Sequence, residues 1–245
     1  MRVVISCVTF ETVKIVEPIK HFKADRAYLL HRAVKQPYVD FLNDVKRQLE
    51  TERIEQIPVE VNINDFQEVL KILIDILERE NREGNHVYVN IEAGSAIYSS
   101  ASLLASLMEN GIPFNVGTRE QMIKDTKIYY ENERPVGMAK KVHDPFILPE
   151  FKLQRPNEKL VEGLKIWIEI NKDNRRTRLS ETIMELQGKG ILEDCLDDRG
   201  KVTHRGQMSF IRKLREKWIK KGWMRKNEDN TFSITSYGRS ITSIF

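Results

Sequence analysis

Apolar and polar positions alternate along the first half of the chain in a repeating strand-then-helix pattern. "RVVISCVT" (Arg2–Thr9) is apolar and β-branched over a continuous run, which predicts a strand buried on both faces. "ETVKIVEPIKHFK" follows as a helix or turn, expected to break near Pro18. "RAYLLH" (Arg26–His31) is a second short strand. Pro37 then opens a segment with Val39, Leu42, Val45 and Leu49 at helical spacing. "IPVEVNI" (Ile57–Ile63) alternates like a strand, and Asn64 or Asp65 can cap the helix whose apolar face is Phe66, Val69, Leu70, Leu73, Ile76 and Leu77. "HVYVNI" (His86–Ile91), a helix over Ile97–Glu109 stopped by Asn110-Gly111, and "IPFNVGT" (Ile112–Thr118) complete the series. Strands joined by helices of this length predict right-handed crossovers and an α/β, Rossmann-like, mostly parallel sheet. "TKIYYEN" and "RPVGMAKKV" read as an added β-hairpin with "ENERP" between its strands.

The pattern changes in the last ninety residues. "HDPFILPEFKLQRPNE" carries Pro145, Pro149 and Pro156 and reads as a linker. The predicted organisation is a sheet domain over 1–143, a linker over 144–156 and a helical domain over 157–245. In the last, Leu160, Leu164, Trp167 and Ile168 stripe a first helix. "LSETIMELQGKG" is a second, with Ser180 as its expected cap and Gly188 or Gly190 as its end. "RGQMSFIRKLREKWIKKGW" is a third, with Met208, Ile211, Leu214 and Trp218 inward and Gly222 as its stop. "WMRKNEDNTFSITSYGRS" closes as strand, turn and strand, with Glu228-Asp229-Asn230 at the tip. Three helices plus a terminal hairpin are the plan of a winged helix-turn-helix domain.

Charge separates the halves further. Residues 1–150 hold 19 Lys and Arg against 23 Asp and Glu, a net of −4; residues 151–245 hold 21 against 13, a net of +8. The basic half is the part suited to a polyanion such as duplex DNA. The third helix would present Arg205, Gln207, Ser209, Arg212, Lys213, Arg215 and Lys217. Arg225 and Lys226 of the hairpin, and Arg178 within "RRTR" (Arg175–Arg178), would add backbone contacts. Trp167, Trp218 and Trp223 are expected in the core.

Other chemistry is sparse. Cys7 and Cys195 form neither a disulfide framework nor a metal spacing. His21, His31, His86, His143 and His204 show no HExxH or triad spacing, so no catalytic residue and no metal is expected. There is no GxGxxG and no GxxxxGK[ST]. No apolar run approaches the ~20 residues of a membrane span and the N-terminus reads as a strand, so a cytoplasmic protein without a membrane partner is expected. In open parallel sheets, ligands bind beyond the C-terminal strand ends. Thr9, Phe10 and Glu11 follow the first strand; Ala93, Gly94, Ser95 and Ala96 follow the fourth, where a helix begins and an anion is favoured.

The order "VVISCVTFETVKIVEPI", "ADRAYLL", "VNIEAGSAIYSSASLLASLM" and a C-terminal winged helix resembles archaeal CARF (CRISPR-associated Rossmann fold) transcription regulators over nearly the whole chain. The resemblance implies a CARF homodimer that binds a cyclic oligoadenylate across its two-fold axis. The two segments just named, Thr9–Glu11 and Ala93–Ala96, would line that site, and the winged helix would bind DNA. Many relatives carry a Lys at the second segment. Here Ser95-Ala96 stands in its place, with Glu92 beside it and Lys14 or Arg119 as substitute cations. The resemblance leaves two other readings open: a ring nuclease that cleaves a cyclic oligoadenylate, and a protein-binding adaptor.

Overall fold

A computed structural model describes residues 1–32, 37–121, 130–131, 134–135, 137–148, 153–172 and 178–245. The chain divides into two units, 1–154 and 155–245.

The first unit runs β1 (Arg2–Val8), α1 (Val13–His21), β2 (Arg26–His31), α2 (Tyr38–Thr51), β3 (Glu55–Glu60), α3 (Phe66–Arg82), β4 (His86–Asn90), α4 (Ala96–Met108) and β5 (Ile112–Asn115). It continues as β6 (Thr118–Gln121), β7 (Tyr130–Glu131), β8 (Arg134–Pro135), β9 (Ala139–Val142) and β10 (Phe146–Ile147). Among the described residues, six strands form one sheet in the order β10-β5-β4-β1-β2-β3. β1 pairs in parallel with β2 and β4, β2 with β3 and β4 with β5; only β10 is antiparallel. This is the α/β architecture expected from the repeating pattern. β1 is central and buried from Val3 to Val8, which explains its unbroken apolar run. The Pro-rich segment read as a linker thus contributes β10 to the sheet edge.

One face of the sheet, Val4, Val8, Ala27 and Leu29, packs on Ile15, Val16 and Ile19 of α1 and Phe41, Leu42, Val45 and Leu49 of α2. The chain grows from β1 to β2 and β3, then crosses back to β4 on the other side of β1. The strand order therefore reverses between β1 and β4.

α1 does not break at Pro18 but runs through it. Proline has no N–H for the carbonyl four residues earlier. That carbonyl, Lys14 O, instead accepts from the Asn90 side chain at 2.9 Å. The orphaned acceptor is satisfied by the end of β4, so the helix continues. α3 starts as expected: Asp65 accepts from the amides of Gln67 and Glu68 at 2.9 and 3.1 Å, a cap worth ~1 kcal/mol. At the N-terminal end of the sheet, the buried Glu80 accepts from Arg26 at 2.8 Å, Asn85 at 2.6 Å and the Tyr28 hydroxyl. Burial alone would raise the Glu80 carboxyl. The donors outweigh it and hold the group below its ordinary value.

Of the added hairpin, β7 pairs with β8 and β6 with β9; residues 122–129 lie outside the described residues.

The second unit runs α5 (Glu158–Ile170), α6 (Leu179–Gly188), α7 (His204–Phe210), a π-helical segment Ile211–Arg215, α8 (Glu216–Lys220), β11 (Met224–Lys226), β12 (Phe232–Ile234) and α9 (Ser236–Ile244). α7, the π segment and α8 are one continuous third helix. Its inward residues are Phe210, Leu214 and Trp218, while Met208 and Ile211 are only half-buried. The expected stripe is displaced because the wider π turn changes the phase at Ile211. Trp218 is fully buried, donates from its ring N–H to Leu160 O at 2.9 Å, and fits because Gly163 of α5 leaves room for its ring. Trp167 and Trp223 are also buried, as expected. α6 begins after Arg178, so Ser180 lies inside the helix and is not its cap. β11 and β12 form the expected hairpin. α9 was not expected. Thr235 caps it, accepting from Gly238 N at 3.0 Å, and Ile241 is buried.

Candidate functional site

The point where strand order reverses leaves a crevice beyond the C-terminal ends of the two adjacent strands. Here those are β1 and β4, and their loops meet. Thr9 Oγ1 donates to Ala93 O at 3.1 Å, tying the loop after β1 to the turn after β4. The two segments predicted from sequence are thus neighbours.

Each predicted residue has a distinct place. Ala93 is buried. Gly94 has no left-handed backbone; a Cβ there would strike the Tyr98 ring. The glycine is required by what lies beneath the turn, not by a special torsion. Ser95 caps α4, its Oγ accepting from Tyr98 N at 3.2 Å and donating to Ile63 O at 3.1 Å. It therefore also pins the β3–α3 loop to the turn. Ala96 is exposed at the first helical position, where backbone amides lack helical acceptors. Phe10 turns inward instead, its ring 4.5 Å from Tyr38 and 5.7 Å from Phe41. Glu11 is buried and faces the chain before β9, accepting from Ala139 N at 3.3 Å. Gly137, at φ +77°, lies so close that a Cβ would meet Phe10 O and sit 2.8 Å from Glu11 Oε2. Thr12 Oγ1 donates to Pro135 O at 3.2 Å. Residues 135 and 137–139 thus form a strap across the β1 loop.

Glu92, the negative charge beside the turn, is not bare. Lys14 Nζ approaches its Oε1 at 3.4 Å and Asn115 Nδ2 donates to its Oε2 at 2.9 Å. The Glu92 amide donates to Asn90 Oδ1 at 3.1 Å. Lys14 is thus the cation that meets Glu92 at the turn, while Arg119 lies exposed on β6. Burial pushes the Glu11 carboxyl above its ordinary value, more than the Ala139 amide and the Lys14 charge pull it down. Burial likewise raises the Cys7 thiol and the Tyr98 hydroxyl. Tyr98 Oη and Ser6 Oγ are buried without a hydrogen-bond partner among the described residues. Asn115, Gly137 and Ala139 were missed by sequence reasoning. Only Gly137 left a local trace, as a glycine after Pro135-Val136.

In the second unit, Arg205, Arg212, Lys213, Lys217 and Lys226 are exposed, and Gln207 and Ser209 half-exposed. Arg178 is exposed at the start of α6 and donates to Glu181 at 3.2 Å; Arg175–Thr177 lie outside the described residues. Arg215 is not free: its guanidinium lies 4.3 Å over the Phe232 ring, joining the third helix to the hairpin. Arg225 donates to Ser233 Oγ at 3.0 Å. Among the described residues, no group of three or more His, Cys, Asp or Glu could hold a metal ion, and no helix is long and apolar enough to cross a membrane.

A family model described as "HFX_2341_N:-like, N-terminal" matches residues 2–121, just under half of the 245-residue chain. No curated protein sequence matches. Among solved structures, a type III CRISPR defence DNA nuclease activated by cyclic oligoadenylate is similar at a TM-score of 0.41 and 17% identity, over 46% of this chain and 18% of that one. Can2 from Sulfobacillus thermosulfidooxidans, in complex with cyclic tetra-adenylate, gives 0.43 and 15%, over 99% and 64%. Csm6 from Enterococcus italicus, bound to a cyclic hexanucleotide analogue, gives 0.38 and 14%, over 49% and 34%. The chain spans less than two thirds of the length of each.

Proposed function

We propose that the chain is a homodimeric DNA-binding transcriptional regulator whose first unit senses a nucleotide, with a cyclic oligoadenylate as the first ligand class to test. The observation that carries this reading is the reversal of strand order between β1 and β4. It brings together Thr9, Lys14, Glu92 and the start of α4, in a chain that also carries a basic helical unit. The crevice is the ligand position of open parallel sheets, and the amides opening α4 favour an anionic group. The sequence resemblance to CARF regulators supplies the cyclic oligoadenylate class.

Lys14 is the phosphate-facing cation in this reading. An incoming phosphate competes with Glu92 for it, and Glu92 keeps Asn115 as its partner. The small residues Ala101, Ser102, Ala105 and Ser106 of α4 are buried within the unit, so they do not form the twofold contact. A twofold contact through α4 would use its exposed residues Ile97 and Ser100.

The second unit acts as a winged helix. Arg205, Gln207, Ser209 and Arg212 face the duplex, Lys226 touches its backbone, and Arg215 braces helix against hairpin. The test is duplex affinity against salt. A straight line of log K against log salt with a negative slope supports the reading; a flat line or absent binding overturns it. The absence of linear product after incubation with cyclic tetra- and hexa-adenylate separates this regulator from a ring nuclease.

A further inference from the structure

The notable feature outside the crevice is a cleft in the second unit, of about 450 Å³. Asn157, Lys159 and Leu160 of the α5 start line one side, Ile191 and Glu193 a second, and Lys213, Leu214 and Lys217 of the third helix the remaining side. Its size lies within the ~300–1,000 Å³ of small-molecule sites. We propose that this cleft binds a phosphate group, with Lys159, Lys213 and Lys217 as its ligands.

Three facts support this. First, sequence-distant elements bring three lysines to the lining of one concavity, with Glu193 as the one acidic residue of that lining. Second, the ion pairs described for this unit use other residues: Lys165 with Glu162, Lys172 with Glu169, and Arg178 with Glu181. Among the described residues, none of the three cleft lysines has an ion pair, so an entering anion need not displace one. Third, Leu160 and Leu214 give the cleft a buried apolar floor, which limits solvent screening from one side. The start of the 13-residue α5 adds a favourable dipole at the same end. Lysine serves such a site as a point charge.

The lining also divides the cations of the third helix. Lys213 and Lys217, four residues apart, share the flank toward α5. Arg215 occupies the flank toward the hairpin, over Phe232. Neither Arg205 nor Arg212 lines the cleft. A duplex backbone and a free phosphorylated small molecule both present the required chemistry.

Two measurements on the full chain tell these sources apart. Each compares a Lys159→Gln/Lys213→Gln/Lys217→Gln variant with a control, Lys189→Gln/Lys201→Gln/Lys220→Gln, of equal charge change in the same unit. In calorimetric titration with tripolyphosphate at low salt, the cleft variant should lose about tenfold or more in affinity, as three exposed charge contacts allow. Glu193→Gln should tighten it several-fold, while Glu228→Gln, on the hairpin, should not. In the second arm, binding to a non-specific duplex should lose a salt slope of about 1 in the cleft variant if the phosphate is a backbone phosphate. A tripolyphosphate loss with an unchanged slope assigns the cleft to a free phosphorylated molecule. A loss of slope assigns it to DNA. If the cleft variant matches the control in both arms, the proposal fails. The tripolyphosphate arm stands even if the chain binds no duplex, so the two readings fail separately. All substituted side chains are exposed, and unchanged urea midpoints would show that the fold is intact.

Discussion

The crevice of the first unit and the basic surface of the second handle charge in opposite ways. At the crevice the charges have partners: Lys14 faces Glu92, Glu92 also holds Asn115, and Glu11 holds the strap. On the second unit, Arg205, Arg212, Lys213 and Lys217 stand exposed with no ion pair among the described residues. A ligand in the first place must exchange contacts already made. A polyanion in the second only neutralises charge and releases counterions. The first arrangement suits discrimination and switching; the second suits affinity that falls with salt.

The largest expected break in this comparison is Trp218→Ala. It empties the core of the second unit and should cost that unit about 3–5 kcal/mol. All three tryptophans lie in this unit, so Trp fluorescence in urea follows it alone through Trp167 and Trp223. A shift under 1 kcal/mol would contradict the packing described. Next is Gly94→Ala. Its Cβ strikes the Tyr98 ring, and a cost of about 1–3 kcal/mol is expected in the first unit's urea transition. An unchanged midpoint would mean that the Tyr98 ring beneath the turn gives way freely.

The third separates ligand from scaffold. Lys14→Met should change stability by less than about 1 kcal/mol, because the pair with a partly exposed Glu92 is worth little. The same change should weaken an anionic ligand about tenfold or more. Equal effects on both would make Lys14 structural only.

The smallest is a pH effect. The folded-state carboxyl of Glu11 is raised above its ordinary value of 4.5. The folded chain therefore holds a proton that the unfolded chain releases first, and stability falls as pH rises from about 4.5 through the raised value. Glu11→Gln should flatten that fall. A stability that instead rises over this window would contradict the buried placement of Glu11.

The strand-helix alternation, the buried β1, the Asp65 cap and the pairing of the β1 and β4 loops were all legible, because each rests on local period or on the rule for open sheets. Four features were not. The strap on Glu11 spans 128 residues, and no local pattern encodes a contact at that separation. Pro18 was expected to break its helix because the local rule counts the lost N–H but cannot see Asn90, 76 residues from Lys14, replacing it. The phase of the third helix shifted at a π turn that 3.6-residue spacing does not anticipate. α9 was missed because "SYGRSITSI" is poor in helix formers; it is held by Gly238 seated on the Trp223 backbone and by buried Ile241, both tertiary effects. At the candidate site, the sequence located the loops but not the internal bonds, which decide that Phe10 packs inward and that Glu11 holds the strap.

The proposed function requires that a ligand bound by the first unit alter duplex binding by the second. The direct measurement is duplex affinity of the full chain with and without saturating cyclic oligoadenylate, at fixed salt. Coupling of about 1–3 kcal/mol, or roughly 5–150-fold in Kd, is the expected result, and Lys14→Met should abolish the difference. Identical duplex affinities with the ligand demonstrably bound would contradict the account.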